Sequence, residues 1–247
     1  MFKKSYLLLS SLCLFTIHLL FVFAKGRPTN AATPLKVTTS APQADVENPK
    51  VKSIYDSLKL GTLGLSKQAF DYALKGFNYL LSQGKLNNTN IISIADFSET
   101  SDKKRFFILD LKNYKILFNT YVAHGQNSGK EYANSFSNTP NSLASSPGFY
   151  VTKETYNGSK GYSLRLDGEE SGINDNALSR GIVMHAATYV NESLAKGRGF
   201  IGRSWGCPAV APELHKAIIN QIKNGSCLFL YTPDKKYTSH SRILNAA

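Results

Sequence analysis

Seven short segments with the composition of β-strands follow one another between residues 91 and 231. Their period of two places successive side chains on opposite faces of a sheet, and Lys112-Asn113 has the composition of a hairpin turn. Only one helix is well marked among them, from Pro212 to a stop at Gly225. The pattern predicts an α+β, mainly β, domain with a largely antiparallel sheet over residues 89–233. The predicted strands cover residues 91–95, 105–111, 116–123, 149–153, 162–166, 181–185 and 226–231.

A short helical segment over residues 51–88 precedes this β-rich region. Ser66 is a helix-capping residue type, and Phe70, Phe77 and other apolar residues recur behind it at helical spacing until Gly84. We expect this amphipathic segment to pack on the following domain as structural support.

The first 24 residues have the pattern of a secretory signal peptide. Lys3 and Lys4 precede a long apolar run that ends in the small residue Ala24. An uncleaved membrane anchor is the alternative, because the run is long enough to span a bilayer. Residues 25–50 are rich in Pro, Thr and Ala and are predicted to be a linker, and residues 234–247 a C-terminal tail. The sequence therefore predicts export to the periplasm or cell envelope.

The composition restricts which partners the chain can have. The formal net charge is +12, but no dense Lys/Arg run accompanies it, so an anionic envelope surface is a better interpretation than nucleic acid. No His, Cys, Asp and Glu residues recur at metal-site spacing, so we predict no metal and no cofactor.

The segment GRSWGCPAV at residues 202–210 predicts a shaped loop rather than a strand or helix, because glycines and a proline interrupt it. Cys207 in this loop is the candidate nucleophile. The backbone N–H groups of Trp205, Gly206 and Cys207 are the candidate oxyanion hole, since successive N–H groups in a loop can point at one spot.

His185 is the candidate general base for this thiol. It ends the apolar strand 181–185, and small residues follow it and leave room for a substrate. An imidazole and loop N–H groups beside Cys207 favour the thiolate, so we expect the pKa of Cys207 to lie below its ordinary value.

His185 followed by Ser204-Trp205-Gly206-Cys207 resembles the L,D-transpeptidase (YkuD-like) catalytic domains of bacterial cell-wall enzymes. In the common form of that family a His stands between the Ser and the Gly, and an Arg follows the Cys. This chain is similar to a divergent branch with the motif Gly-Arg-Ser-x-Gly-Cys-Pro-Ala. Residues 123–129, 136–138, 147–150 and 161–168 also resemble that branch, so the resemblance covers about residues 89–232.

The resemblance implies a β-rich catalytic domain that acts on peptidoglycan stem peptides. It implies a Cys207 thioester formed with release of terminal D-Ala, and transfer of the acyl group to an amine. Water as the acceptor would give an L,D-carboxypeptidase instead. Ser204 is then the motif serine, and we expect it to orient the imidazole. Arg203 offers a planar donor fork for a substrate carboxylate, and His124, at a strand end, is a second candidate substrate-binding residue.

Three alternatives remain open from the residues alone. The segment also matches G-x-S-x-G, which would make Ser204 the nucleophile of a hydrolase, although no helix directly follows it. A non-catalytic wall-binding module is the second alternative. The third is a disulfide between Cys207 and Cys227, because exported proteins retain disulfides; otherwise Cys227, in a predicted strand, is expected to be a core residue.

Overall fold

The computed structural model describes residues 53–246 of the 247-residue chain. The predicted signal peptide (residues 1–24) and linker (residues 25–50) therefore lie outside the described residues. The helical segment that follows consists of α1 (Ile54–Ser57), a 3-10 turn (Leu60–Leu63) and α2 (Lys67–Ser82). No helix within residues 53–246 is long and apolar enough to cross a membrane.

Helix α2 confirms the predicted cap and amphipathic pattern. The Ser66 side chain accepts a hydrogen bond from the N–H of Ala69 at 3.2 Å and so satisfies one of the free donors of the first turn. The buried face of the helix includes Phe70 and Phe77, which join the same hydrophobic cluster as the sheet. A Cβ atom at Gly76 would lie only 2.1 Å from the Phe149 ring, so the absence of a side chain there lets the helix approach the sheet closely.

Eight strands form the sheet in the order β3-β2-β1-β8-β4-β5-β6-β7. Most neighbours are antiparallel, as predicted, but β1 pairs with β8 and β6 pairs with β7 in parallel. The two parallel pairs make the sheet mixed, with the long chain excursions that parallel pairing requires. The strands are β1 (Ile91–Asp96), β2 (Phe106–Asp110), β3 (Lys115–Thr120), β4 (Gly148–Gly158), β5 (Gly161–Gly168), β6 (Val183–Ala186), β7 (Ala209–Val210) and β8 (Cys227–Tyr231).

Strand β8 lies at the centre of the core because side chains cover both of its faces. Cys227 and Phe229 point into the cluster shared with α2, whereas Leu228 and Leu230 point into a second cluster on the opposite face. Helix α4 (Pro212–Ile222) covers that second face with its buried isoleucines. The prediction of a mainly β fold with few helices is confirmed.

Two helices and one strand were not predicted from the sequence. Helices α3 (Glu192–Arg198) and α5 (Lys235–His240) are six or seven residues long and each buries a single side chain, so they lack an apolar stripe. Strand β7 consists of Ala209 and Val210, the last two residues of the segment 202–210, so the prediction of a loop is wrong for these two residues. The predicted C-terminal tail thus contains α5.

The C-terminal segment is attached to the sheet by a buried carboxylate. Glu170 accepts hydrogen bonds from the N–H of Phe149 at 2.8 Å, the hydroxyl of Tyr237 at 3.1 Å and the hydroxyl of Ser241. Burial raises the pKa of this carboxyl, although the three hydrogen bonds each lower it. Glu170 thereby connects β4 to α5.

Candidate active site

The glycine-rich loop is fixed by backbone pairing with residues 124–126. The N–H of Ser204 donates to the carbonyl of His124 at 2.9 Å, and the N–H of Gln126 donates to the carbonyl of Ser204 at 2.8 Å. Gly125 and Ser204 form an isolated parallel bridge, and β7 begins at Ala209. The loop is thus held on both sides of Cys207.

The Ser204 side chain closes the turn that carries Cys207. Its hydroxyl donates to the carbonyl oxygen of Cys207 at 2.6 Å and accepts from the N–H of Gly206 at 3.1 Å. Within residues 53–246, Ser204 forms no hydrogen bond to His185, the imidazole that it was expected to orient. Its two hydrogen bonds instead fix the conformation of the turn. Ser204 is buried and engaged in two hydrogen bonds, and no helix lies between it and Pro212, so it does not match a nucleophile elbow.

Gly206 has a backbone conformation that favours glycine. Its φ is +116°, and a Cβ atom there would lie 2.7 Å from the carbonyl oxygen of Ala144. The turn therefore depends on this glycine and on the segment that contains Ala144.

The Cys207 thiol is partly exposed and lies at the start of β6. The N–H of Val183 donates to Sγ at 3.5 Å, and Sγ–H points to the carbonyl oxygen of Gly181 at 3.8 Å. Burial raises the pKa of Cys207, while the Val183 N–H and the charges of Arg180 and Lys160 oppose that rise. The prediction of a lowered pKa is wrong for this structure, because desolvation of the sulfur outweighs the groups that favour the thiolate.

Strand pairing brings His185 and the Cys207 loop together. His185 lies in β6 and is the parallel partner of Ala209 in β7, two positions after Cys207. Its Nδ1 is 2.8 Å from the carbonyl oxygen of Ala186 and must donate to it, which leaves Nε2 as the proton acceptor of the neutral ring. Burial lowers the pKa of His185, with a smaller contribution from Lys160, so the ring is neutral at pH 7.

The three predicted oxyanion donors differ in availability. Gly206 gives its N–H to Ser204 and is engaged within the turn. The N–H groups of Trp205 and Cys207 have no hydrogen-bond acceptor within residues 53–246. Only these two donors can serve an oxyanion without breaking an existing hydrogen bond.

The exposed surface beside the thiol carries an aromatic ring and two cations. Trp205 is 70% exposed, and the ammonium of Lys160, in the tip of the β4–β5 hairpin, lies 5.7 Å from its ring centroid. Arg203 is exposed and donates to the carbonyls of Gln126 at 3.3 Å and Gly129 at 3.1 Å. Only Nη1 forms these hydrogen bonds, so the other guanidinium N–H groups remain available for the predicted contact with a substrate carboxylate.

His124, the other predicted substrate-binding residue, is fully buried. Arg105 donates from Nη2 to Nδ1 at 2.7 Å, so Nε2 carries the proton and donates to the carbonyl of Gly129 at 3.2 Å. Burial and the Arg105 charge lower the pKa of His124 to about 3. The ring supports the segment that Arg203 contacts, and no part of it is free for a substrate.

Three residues near the thiol were missed as site residues. Arg180 and Lys160 lie near enough for their charges to act on Cys207, and the pKa of Tyr189 is raised to about 12 by burial and, to a smaller extent, by Cys207. A Cβ atom at Gly202 would lie 2.4 Å from Tyr189, which places this ring against the loop. None of the three carries a local sequence signal, because they come from separate turns of the chain.

The described residues contain neither a disulfide nor a candidate metal site. Cys207 and Cys227 are both free thiols, so the alternative of a disulfide between them is wrong for this structure. Within residues 53–246, no group of three or more His, Cys, Asp and Glu side chains is placed to hold a metal ion.

A cavity of about 620 Å³ lies between α5 and the 136–139 segment, lined in part by Ile173 and Arg242. It includes neither Cys207 nor His185, so cavity size does not identify the reactive site here.

Comparison with protein families gives one match, to the L,D-transpeptidase catalytic domain, over residues 62–231. That match begins within the predicted helical segment and includes α2. No curated protein matches the chain.

Solved structures with similarity to the chain have low identity. An L,D-transpeptidase from Mycobacterium smegmatis is 12% identical with a TM-score of 0.37, over 58% of this chain and 59% of that one. An L,D-transpeptidase (Yku) from Stackebrandtia nassauensis is 15% identical with a TM-score of 0.36, over 69% of each chain. The helical cell shape determining protein Pgp2 from Campylobacter jejuni is 13% identical with a TM-score of 0.39, over 64% of this chain and 56% of that one. The chain thus spans about 59% of the first of these structures, and assignment to a family rests on the family match.

Proposed function

The chain belongs to the L,D-transpeptidase catalytic domain family, and on that premise we propose that it is a cysteine acyltransferase of peptidoglycan stem peptides. The donor is a tetrapeptide, cut between its third residue and the terminal D-Ala, and the acyl group passes to an amine. The observation that carries the proposal is the Cys207 thiol, partly exposed beside β6, on the loop whose strand pairs with His185.

His185 acts as the general base through Nε2. The hydrogen bond from Nδ1 to the carbonyl of Ala186 fixes the tautomer and the ring orientation. The lowered pKa of His185 and the raised pKa of Cys207 make the resting pair neutral, a thiol beside an imidazole. The proton therefore moves when a substrate is present: the S–H bond breaks, an Nε2–H bond forms, and the thiolate attacks the amide carbonyl carbon.

The N–H groups of Trp205 and Cys207 stabilise the oxyanion that results from this attack. Collapse of the tetrahedral intermediate breaks the C–N bond, and His185 gives its proton to the departing D-Ala nitrogen. An acyl-Cys207 thioester remains. His185 then takes a proton from the acceptor amine as the amine nitrogen attacks the carbonyl carbon of the thioester. A C–N bond forms, the C–S bond breaks, and His185 returns the proton to the sulfur of Cys207.

Arg203 contributes recognition of a substrate carboxylate. Its guanidinium is exposed, and Nη2 and Nε have no hydrogen-bond partner among the described residues. A planar fork with free N–H donors matches a carboxylate, which stem peptides carry. The predicted export signal in residues 1–24 is consistent with a substrate in the cell envelope, and we propose that the protein works there.

Incubation with purified disaccharide-tetrapeptides, followed by mass spectrometry of the products, tests the proposal. Cross-linked dimers identify a transpeptidase, whereas tripeptides with free D-Ala identify an L,D-carboxypeptidase that uses the same thioester. Intact substrate, with no mass increase on Cys207, would contradict the proposed activity and support a wall-binding module. The C207A variant is the control and should give neither product.

A further inference from the structure

Arg180 is held in place by four hydrogen bonds to one segment of the chain. Nη1 donates to the carbonyl of Ser137 at 2.8 Å and to the hydroxyl of Ser146 at 2.5 Å. Nη2 donates to the hydroxyl of Ser142 at 3.0 Å and to the carbonyl of Ala144 at 2.8 Å. All four acceptors are neutral, and Arg180 forms no ion pair with a carboxylate in the described part of the chain. The guanidinium therefore keeps its full positive charge in a fixed position.

The same residues that hold Arg180 also contact the Cys207 turn. The carbonyl of Ala144, which accepts from Arg180, is the group that a side chain at Gly206 would meet at 2.7 Å. The residue directly after Arg180, Gly181, provides the carbonyl that Sγ–H of Cys207 approaches at 3.8 Å. The guanidinium and the thiol are thus attached to a common backbone framework on two sides.

One N–H of the guanidinium is not used within the protein. The Nε of Arg180 is buried and has no hydrogen-bond partner among residues 53–246. Buried polar groups of this kind are rare in native structures and call for a physical reason. A thiolate at Cys207 that forms only during the reaction would provide such a reason, because the guanidinium of Arg180 is already held near it by neutral groups.

We propose that Arg180 is a positioning residue that supplies the fixed positive charge stabilising Cys207 as a thiolate. The inference rests on the proposed function, since it concerns the same nucleophile. When the Sγ proton moves to Nε2 of His185, the charge that appears on sulfur is partly desolvated, and a preorganised cation lowers its cost.

The other charged and titratable groups around the thiol are less suited to this role. Lys160 also favours the thiolate, but it lies in an exposed hairpin tip, where solvent screens its charge. Tyr189 has a raised pKa and is neutral, and His185 becomes positive only when it accepts the proton. Burial raises the pKa of Cys207, and the permanent, partly buried charge of Arg180 opposes that rise.

Alkylation by iodoacetamide tests this proposal without a peptidoglycan substrate. The rate at Cys207 is followed by peptide mass spectrometry from pH 6 to 11 in the wild type, R180Q and R180K. We expect R180Q to move the pH dependence upward by about one unit, so that alkylation near pH 7 slows about tenfold while the limiting rate at high pH is retained. R180K should recover part of the shift. R198Q removes an exposed arginine at the end of α3 and is the matched control with an unchanged profile.

A profile in R180Q that matches the wild type, or a loss of rate in R180Q at every pH without a shift, would overturn the proposal. Where R180Q does not fold, the double variant S142A/S146A removes two acceptors of Arg180 and keeps its charge. Because the proposal requires a fixed charge, we expect the pH profile of that variant to move upward by part of the shift, and an unchanged profile would contradict the proposal. Failure of the peptidoglycan assay alone would leave these profiles unchanged, so the two hypotheses are tested separately.

Discussion

The hydroxyl of Ser204 donates to the carbonyl oxygen of Cys207 across 2.6 Å while it accepts from the N–H of Gly206. One side chain thus fixes the carbonyl of the candidate nucleophile and occupies one of the three N–H groups around it. The remaining two donors, from Trp205 and Cys207, are left to face a reacting carbonyl. The conformation of this turn is therefore part of the proposed catalytic machinery.

Replacement of Ser204 by alanine should slow acylation of Cys207 without abolishing it. The variant leaves two backbone groups of the turn without their partner, at a cost of about 1–3 kcal/mol for each buried group. The reagent is a carbapenem, a class of β-lactam that we expect, from the family resemblance, to acylate Cys207. We expect the acylation rate, followed by mass spectrometry, to fall by about 10- to 100-fold. S82A, which removes an exposed hydroxyl at the end of α2, is the control. Loss of all acylation in S204A, with activity retained in C207A, would favour the hydrolase alternative.

Replacement of Gly206 by alanine should be more damaging than replacement of another glycine in the same region. Its φ of +116° disfavours a side chain, and the new Cβ would lie 2.7 Å from the Ala144 carbonyl oxygen. We expect acylation to fall by at least about 100-fold, since misplaced reacting groups lose rates of that order. Gly197 in α3 has open space around it, so G197A should keep wild-type acylation. Equal rates in the two variants would contradict this account of the turn.

Cys227 should be dispensable for chemistry. It is fully buried in β8 and its thiol is free, so C227S loses only the apolar burial of the sulfur and places a hydroxyl in the core. We expect a stability loss of about 1–3 kcal/mol by denaturant unfolding, with one acyl group still bound per protein. Peptide mapping of unreduced active protein checks the same point. A Cys207–Cys227 disulfide in that map would contradict the nucleophile assignment.

Some parts of this site were predictable from the sequence because they depend on local pattern. The apolar runs of β1, β2 and β8, the cap at Ser66 and the glycine-rich loop are all properties of neighbouring residues. The thiol and imidazole were identified by residue type and setting. Their juxtaposition then follows from the parallel pairing of His185 with Ala209.

The parts that were missed depend on tertiary contacts. Arg180 receives its partners from residues 34 to 43 positions earlier in the chain, so no window around it indicates a role. The direction of the pKa shift at Cys207 was predicted wrongly because desolvation depends on the packed environment, which a loop composition does not specify. Helix α5 is polar along most of its length, and only its attachment through Glu170 shows why it packs.

Glu170 should make the stability of the protein depend on pH. Its pKa is raised in the folded state by burial, so its contribution to stability is complete below the unfolded pKa of about 4.3 and declines as the pH rises through the folded pKa. Near pH 4 the Glu170 carboxyl is protonated and the amide of E170Q is its neutral isostere, so we expect the two proteins to have similar stability there. Between pH 4 and 7 we expect a smaller decline in stability in E170Q. Denaturant unfolding at each pH measures both. A pH slope in E170Q equal to that of the wild type would show that other groups cause it.

The pH profile of acylation tests the assignment of His185 as the base. Burial lowers the pKa of His185, so the neutral ring that accepts the proton persists below pH 6.5, and wild-type acylation should stay on a plateau there. The thiol has a raised pKa, so without the imidazole very little thiolate is present at neutral pH. H185A should therefore acylate about 10² to 10⁴ times more slowly at pH 7, the usual effect of a positioned base. Its rate should rise about tenfold per pH unit until the pKa of the thiol is reached, because hydroxide then replaces the base.

The measurement is the carbapenem acylation rate of Cys207 from pH 5 to 10 in the wild type, H185A and H215A. His215 is half-buried in α4, outside the candidate site, and its Nδ1 is 2.7 Å from the carbonyl of Pro212, so H215A should follow the wild-type profile. An H185A variant with the wild-type rate at pH 7 would show that another group takes the proton. His124 is the next imidazole to replace. Its burial and its pKa of about 3 indicate a neutral ring with a structural role. H124A should therefore lower the stability of the protein and keep the plateau in the acylation rate. A flat pH profile in H185A would mean that proton transfer from the thiol does not limit acylation.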